Sequence, residues 1–568
     1  KLKKKYSNHG IVLEVIATGY TNYETLIKPS DVESLTNLSF ILLKEKIEIL
    51  DEVSVEGKRP FVIKKDTITF NVESYKDGTE KKVEDLLKNL PGIEVDDYNG
   101  VIRYRGRLIE TVTIEGDNLF DYNYSIGTKN INIDLVKEIE AIENYTENKL
   151  LKGIENSNKV ALNLKLKENE IDVTASSDLG IGDFADTKKT PLDLNLNLLG
   201  INKANKSFAV AIHNNIGENA SPFNYYNTTI TLEKLKDEAY YSQNIIPEYS
   251  VLQVSNNNLS NINSQYFGNF NTILRLSNKI KLKGNLYYLS DRITNNQLIE
   301  NSFFINNEEF ETFDNSFIQK KPRQYRGDLE LKFDISKSSL LEYGLSYRNE
   351  DVSTTREIFS NQDNNFNTSL KSSSLLLKNN LLYTKRISNS TALQLEFLNV
   401  FNDANQNLNI NPSIFNAGQF DQDIQRNDSE KRTTTFKSIL LGKKKGEDNY
   451  YISLGFNLRN ETFNANLINK DNNQELVENS SSNDLELIKN DIFTVGRYDF
   501  LVGKFTISPK YLLRILQQEL GQNSSALNSN NLIFEPSLRI IFKLDRTSLV
   551  YLNSGFSKKS QSVQNLFS

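Results

Sequence analysis

His9 and His213 are the only imidazoles in 568 residues, and the chain has no cysteine. That removes thiolate nucleophiles, disulfides and zinc–cysteine sites, and leaves too few imidazoles for a histidine-built metal centre. The 73 Asp and Glu side chains are so common that neighbouring carboxylates carry no acid–base signal. No Ser/His/Asp order, phosphate loop or dinucleotide fingerprint accompanies them. His213, beside Asn214-Asn215, reads as a hydrogen-bonded or solvated ring. The chemistry open to this chain is recognition, so neither enzyme activity nor a cofactor or metal is expected. With 67 Lys and Arg and a net charge of −6, it has no basic footprint for nucleic acid.

The elements that would position recognition groups are strands. Mean hydropathy is −0.49 and no run of 18 apolar residues occurs, which excludes helical membrane spans. A transmembrane strand buries only alternate residues in lipid, so the test is period two. Leu192, Leu194, Leu196 and Leu198 alternate with Asp193, Asn195 and Asn197. Leu329, Leu331, Phe333 and Ile335 alternate with Asp328, Glu330, Lys332 and Asp334. Ile452, Leu454, Phe456 and Leu458 repeat the pattern late in the chain.

Half-buried strands of a soluble sandwich or propeller alternate in the same way, so connection lengths decide. Fifteen strands are expected between about 171 and 559, and their links alternate short and long. The tight ones include Leu276–Lys279, Ser336–Ser339 and Asp545–Thr547, and the long ones 217–265, 292–325, 351–373, 403–431 and 462–487. Tight turns on one rim and long loops on the other belong to an outer-membrane barrel. With no Trp, the 26 Tyr and 31 Phe must form its interfacial belts, as Tyr287-Tyr288 and Tyr450-Tyr451 suggest. Fifteen is odd, so further closing strands are expected beyond Ser568, and the missing methionine suggests a chain also cut at its front.

Residues 50–165 read as a separate α/β unit. Val83–Leu90 is an amphipathic helix stopped by Pro91-Gly92. Ile93–Val95, Val101–Tyr104 and Thr111–Ile114 are short strands separated by glycine turns, Ile133–Ile142 a short helix or helix-to-strand transition, and Val160–Leu166 a strand leading into the barrel. A large barrel needs its lumen plugged, and a globular unit just before it could do that.

The Glu84–Leu87 helix, Leu90-Pro91-Gly92-Ile93-Glu94-Val95, the Arg105-Gly106 turn, Val112–Gly116 and Lys137-Glu138-Ile139-Glu140 occur in that order. This series resembles the plug of TonB-dependent outer-membrane receptors of the Bacteroidota type. Residues 1–49, with Gly19-Tyr20, resemble the tail of the carboxypeptidase-regulatory-like β-sandwich that often precedes such plugs.

The resemblance implies a mainly β fold: 1–49 a partial β-sandwich, 50–165 an α/β plug, and 166–568 a large antiparallel transmembrane β-barrel. It implies an outer-membrane transporter of a Gram-negative bacterium that binds a solute outside and imports it by plug displacement. Expected partners are outer-membrane lipid, a TonB-type periplasmic energy-coupling protein, and a surface lipoprotein or other outer-membrane subunits. Asp51, Glu52, Val53, Ser54 and Val55 fall where the family's coupling segment stands, Arg105, Gly106, Glu115 and Gly116 match the plug's structural motif, and Phe120, Tyr122 and Tyr124 fall where plug loops face ligand. Two departures stand out. Glu115 replaces the Asp of the family's Asp-Gly pair, and Asn158–Asn163 replaces the Gly-Gly-Val-Ile-Asn ending. They point to an alternative, a non-transporting structural subunit of a larger outer-membrane complex.

Overall fold

The computed structural model describes the chain apart from residues 1–2, 8–9, 19, 28–41, 46–58, 98–99, 156, 158, 168–172, 184–189, 203, 227–230, 243, 252–260, 306–307, 361–364, 415–419, 445–447, 472–473, 523–524, 545–547 and 559–568. It divides into two compact units, Lys1–Lys58 and Arg59–Ser568. The first holds a three-stranded antiparallel sheet of β1 (Lys3–Ser7), β2 (Gly10–Val15) and β3 (Tyr23–Ile27).

The second unit opens with a seven-stranded sheet. Its strands are β4 (Phe61–Lys64), β5 (Thr67–Asn71), β6 (Ile93–Val95), β7 (Ile102–Tyr104), β8 (Arg107–Ile114), β9 (Val136–Glu143) and β10 (Val160–Leu166), ordered β4-β5-β9-β10-β8-β7-β6. Only the β8–β10 pair is parallel. Helix α1 (Val83–Asn89) starts where the Asp85 carboxylate accepts the Lys81 and Lys82 N–H groups, satisfying orphan donors of the first turn. It ends at Pro91-Gly92, with Gly92 at φ +78°. Its Val83, Leu86 and Leu87 are fully buried. Helix α2 (Ser125–Asn130) follows β8. Ile133–Ile142 contains one 3-10 turn, Ile133–Leu135, and is otherwise the strand β9, because Ile139 and Ala141 alternate into the core.

The remaining strands form one 17-stranded antiparallel sheet, the wall. They are β11 (Val173–Ile181), β12 (Leu192–Ile201), β13 (Asn205–Asn214), β14 (Asn261–Ile262), β15 (Gln265–Arg275), β16 (Ile280–Ser290), β17 (Ile293–Ile305), β18 (Glu308–Ser336), β19 (Ser339–Ser360), β20 (Phe366–Arg386), β21 (Thr391–Asn411), β22 (Gln422–Lys443), β23 (Asn449–Asp471), β24 (Gln474–Val502), β25 (Phe505–Gln522), β26 (Ser525–Lys543) and β27 (Leu549–Gly555). Helix α3 (Leu232–Asp237) lies in the connection from β13 to β14. The chain is mainly β, as expected from its alternation.

Two expectations need correction. The sheet has seventeen strands rather than fifteen, because β14 and β17 occupy stretches read as loop. The long links after β18 are also largely strand. Residues 351–360 continue β19, 403–411 continue β21, and 474–487 open β24. At 29 residues, β18 and β24 each extend roughly 95 Å at about 3.3 Å per residue, far beyond the 9–11 residues that span a bilayer. At Ser372-Ser373-Ser374 of β20 both faces are polar, so the hydropathy period vanishes there while the backbone ladder continues.

The wall is inverted relative to a soluble protein. Its buried face carries Asn269, Asn271, Lys283, Asn285, Gln324 and Arg326, each 6% exposed or less. The neighbouring positions, Phe270, Leu286, Tyr288, Tyr325 and Leu329, are 39–60% exposed. On β18 the outward apolar stretch runs from Ile335 to Tyr325, the length of one transmembrane strand.

Candidate functional site

The wall curves around the seven-stranded unit, touching it from β11 to β22. Lys82 pairs with Asp178 at 2.8 Å, the Asn195 amide donates to Asn130 at 2.7 Å, and Leu151 and Ile154 pack on Ala392, Ile439 and Leu441. Phe120 is fully buried and meets Phe208 of β13 edge-on, with ring centroids 5.3 Å apart.

The turn after β8 is tied to three wall strands by charge. Asp117, 8% exposed at its side chain, accepts Lys206 of β13 at 2.5 Å, Arg275 of β15 at 3.3 Å, and Lys281 of β16. Burial pushes its carboxyl up, but the Lys206 and Lys281 hydrogen bonds and charges outweigh that and hold it at about 2. Asp121 pairs with Lys283, which reaches Glu330 at 3.1 Å. Lys332 continues the chain, 2.5 Å from Glu147 and 2.9 Å from Glu330. The seam is a run of alternating charges, each buried ion facing an opposite one.

A second element fills the lumen beside it. The described residues between 217 and 251 fold inward and are gripped by the wall. Glu233 of α3 pairs with Arg326 and, at 2.7 Å, with Arg348. Asp237 takes Arg348 at 2.7 Å and Lys378 at 2.8 Å. Beyond α3, Ser242 N–H donates to Asn402 at 2.7 Å, and Gln406 both accepts from Ile246 N–H at 3.0 Å and donates to its carbonyl at 2.7 Å. Burial opposes ionisation of Glu233, yet Arg326 and Arg348 prevail and hold its carboxyl at about 2.

The residues singled out from the sequence separate into three groups. Arg105 (φ +50°) and Gly106 (φ +73°) make the β7–β8 turn, and the Arg105 guanidinium pairs with Glu143 at 3.4 Å. Glu115 accepts Leu166 N–H at 2.7 Å, while Gly116 N–H donates to Asn163 at 2.8 Å. The side chains of Arg105 and Glu115 and the turn glycines work inside the seven-stranded unit, and only the Glu115 carbonyl reaches the wall, accepting Lys206 at 3.4 Å. The ion pairs to the wall belong to Asp117, one residue later and unnoticed in the sequence; an acid directly after the Glu115-Gly116 turn was the available signal.

Among the three aromatics, Phe120 and Tyr124 are packing residues. The Tyr124 hydroxyl accepts Ile102 N–H at 3.1 Å, and burial pushes it up to about 12. Tyr122 differs: it is 36% exposed, and Lys236 of α3 lies 4.0 Å above its ring. Lys236 also pairs with Glu110 at 2.8 Å, so Tyr122 stands where the inward segment meets the seven-stranded unit. Asp51, Glu52, Val53, Ser54 and Val55 lie outside the described residues.

The His213 ring stacks on Tyr266 with centroids 4.2 Å apart, and its Nδ1 lies 2.9 Å from the Gln265 carbonyl. Among the described residues no three His, Asp or Glu side chains group to hold a metal ion. What the lumen offers is a dense set of amides, carboxylates, ammonium and guanidinium groups. Such a set can bind a polar solute by hydrogen bonds and charge.

No family model matches the chain, and no curated protein matches it. Solved structures do. The ferric-catecholate import receptor Fiu of E. coli K12, open form, is 9% identical, with 84% of this chain and 90% of that one covered at a TM-score of 0.26. FauA, the alcaligin outer membrane receptor of Bordetella pertussis, is 9% identical over 91% and 94%, at 0.22. FpvA of Pseudomonas aeruginosa, bound to heterologous pyoverdine, is 9% identical over 86% and 80%, at 0.28.

Proposed function

We propose that this chain is an outer-membrane transporter of the TonB-dependent type in a Gram-negative bacterium. It takes up a polar solute from outside and passes it inward by displacing a plug. The observation that carries the reading is the inverted wall. Leu, Phe and Tyr face outward on β15 to β24 while Asn, Lys, Arg and Glu line a lumen occupied by a folded unit. A soluble sheet with that arrangement would expose a large apolar belt to water; a bilayer removes the cost. Residues 50–165 are the plug, 166–568 the barrel, and 1–49 a regulatory-like sandwich.

Solute recognition falls to the lumen above the plug, where Tyr122 and the inward segment 217–251 meet. Energy coupling falls to Asp51, Glu52, Val53, Ser54 and Val55, which would pair edge to edge with a strand of the periplasmic partner. The test is deletion of residues 50–57 in cells. Energy-dependent uptake is expected to vanish while solute binding at the surface stays intact. Uptake unchanged by the deletion rules out the coupling role.

A second reading has its own support in the seam. Asp117 alone engages three cations, a static arrangement suited to a plug that never moves. In that case the chain is a non-transporting subunit of a larger outer-membrane assembly. Stoichiometric partners in the purified complex, with uptake independent of the coupling protein, would favour it.

A further inference from the structure

Just beyond the apolar band, on the rim opposite the tight turns, the outer face of the wall changes character within one residue pair. Tyr325 and Tyr347, 44% and 41% exposed, close the band, and Tyr325 lies 5.3 Å from Tyr288 between ring centroids. The next outward positions on β18 are Arg323 and Lys321, both exposed. The ladder aligns Lys321 with Ser353, Ser353 with Lys371, Lys371 with Asn407, and Asn407 with Arg426. Cations therefore alternate with neutral side chains along one cross-strand row. With strands about 4.8 Å apart, successive cations stand roughly 10 Å apart.

That row lines an outward concavity of about 920 Å³, with Arg323 and Arg292 at its edge. The side chains of Arg292, Lys321, Arg323 and Lys371 form no ion pair among the described residues. Two exposed acids, Asp351 and Asp428, share the concavity, and a third, Asp291, is buried and accepts from Ser264 N–H at 3.1 Å and the Gln265 amide at 3.3 Å. Other wall cations have a carboxylate partner, as Lys437 has Glu396 at 2.6 Å and Arg514 has Glu535 at 3.2 Å. Lys321, Arg323 and Lys371, exposed beside a tyrosine girdle with Lys321 and Lys371 two strands apart, suit an anion that arrives with the membrane.

We infer that this patch binds the phosphate groups of a lipid headgroup in the outer leaflet. The inference rests on the membrane reading above. Each phosphate would sit among Lys321, Arg323 and Lys371, with Ser353 and Asn407 as neutral hydrogen-bonding partners, while the acyl chains lie along the apolar band below.

The test uses the full chain purified in detergent. Its affinity for diphosphoryl lipid A is compared with that for the same glycolipid stripped of both phosphates, and with inorganic phosphate. Wild type is expected to bind the diphosphoryl form selectively, and inorganic phosphate at equal concentration leaves it bound. The triple variant Lys321→Gln, Arg323→Gln, Lys371→Gln is expected to weaken that binding roughly 100-fold, while Lys279→Gln on the tight-turn rim leaves it unchanged. Equal affinity of the triple variant, or equal binding of the stripped glycolipid, overturns the site. Displacement by inorganic phosphate shows that a free anion is the ligand and overturns the lipid assignment. Wild-type chain that stays in the aqueous phase without detergent overturns the membrane reading itself, an outcome distinct from insertion without lipid selectivity.

Discussion

Asp117 Oδ2 lies 2.5 Å from Lys206 Nζ, joining the turn after β8 to the third strand of the wall, with both side chains 10% exposed or less. A pair this buried is costly to break, because the partner left behind is a desolvated charge. Asp117→Asn leaves Lys206, Arg275 and Lys281 without their carboxylate. The folded pKa of about 2 lies below the ordinary 3.8, so the stabilisation is complete above about pH 4 and is lost as pH falls through 2. Over that window denaturant titrations of the wild type are expected to lose about 2 kcal/mol more than those of the Asn variant. The Asn variant should lack Asp117's share of the acid limb and be less stable at pH 7.

The inward segment is held by the same logic. Glu233 and Asp237 together hold Arg326, Arg348 and Lys378. Substituting both acids by their amides, Glu233→Gln with Asp237→Asn, removes the charges without removing volume. Hydrogen exchange read by mass spectrometry should rise at least about tenfold for the amides of 241–246, a loss of roughly 1.4 kcal/mol or more in local stability. The β18–β19 ladder should keep its protection. Equal protection of 241–246 in variant and wild type would show that the Asn402 and Gln406 hydrogen bonds suffice.

Gly127 tests the packing between α2 and the wall. A Cβ there would fall 2.5 Å from Phe120 Cε2, and Phe120 cannot retreat because its far side is Phe208. Gly127→Ala is therefore expected to cost about 1–3 kcal/mol. Adding Phe120→Leu should recover part of the loss, which a double-mutant cycle of unfolding free energies would reveal.

What could be read in the sequence was whatever repeated locally. Val160–Leu166 was recognised because its alternation is unbroken, and α1 because Pro91-Gly92 stops it; both ends agree with the structure to within a residue. The start of β20 escaped notice because Ser372, Ser373 and Ser374 place polar groups on both faces, and only the neighbouring strand's ladder holds them in register. Asp117 was passed over because its three partners come from strands 89 to 164 positions away. Glu233 looked like one more acid in a polar link, and its role depends on Arg326, 93 positions on. Period two reports what faces lipid or core; it is silent about charges paired across a lumen.

The central claim is that the outward apolar face of the wall lies in lipid, and the composition makes a clean test possible. The chain contains no Trp, so a single introduced indole is its only one. Leu454 is 60% exposed in the outward row of β23, and Asn457 points to the opposite side. Leu454→Trp and Asn457→Trp variants would each be folded into phosphatidylcholine vesicles carrying bromine midway along the acyl chains. The account predicts strong quenching of the indole at 454 and little at 457. Equal, weak quenching at both positions would contradict it.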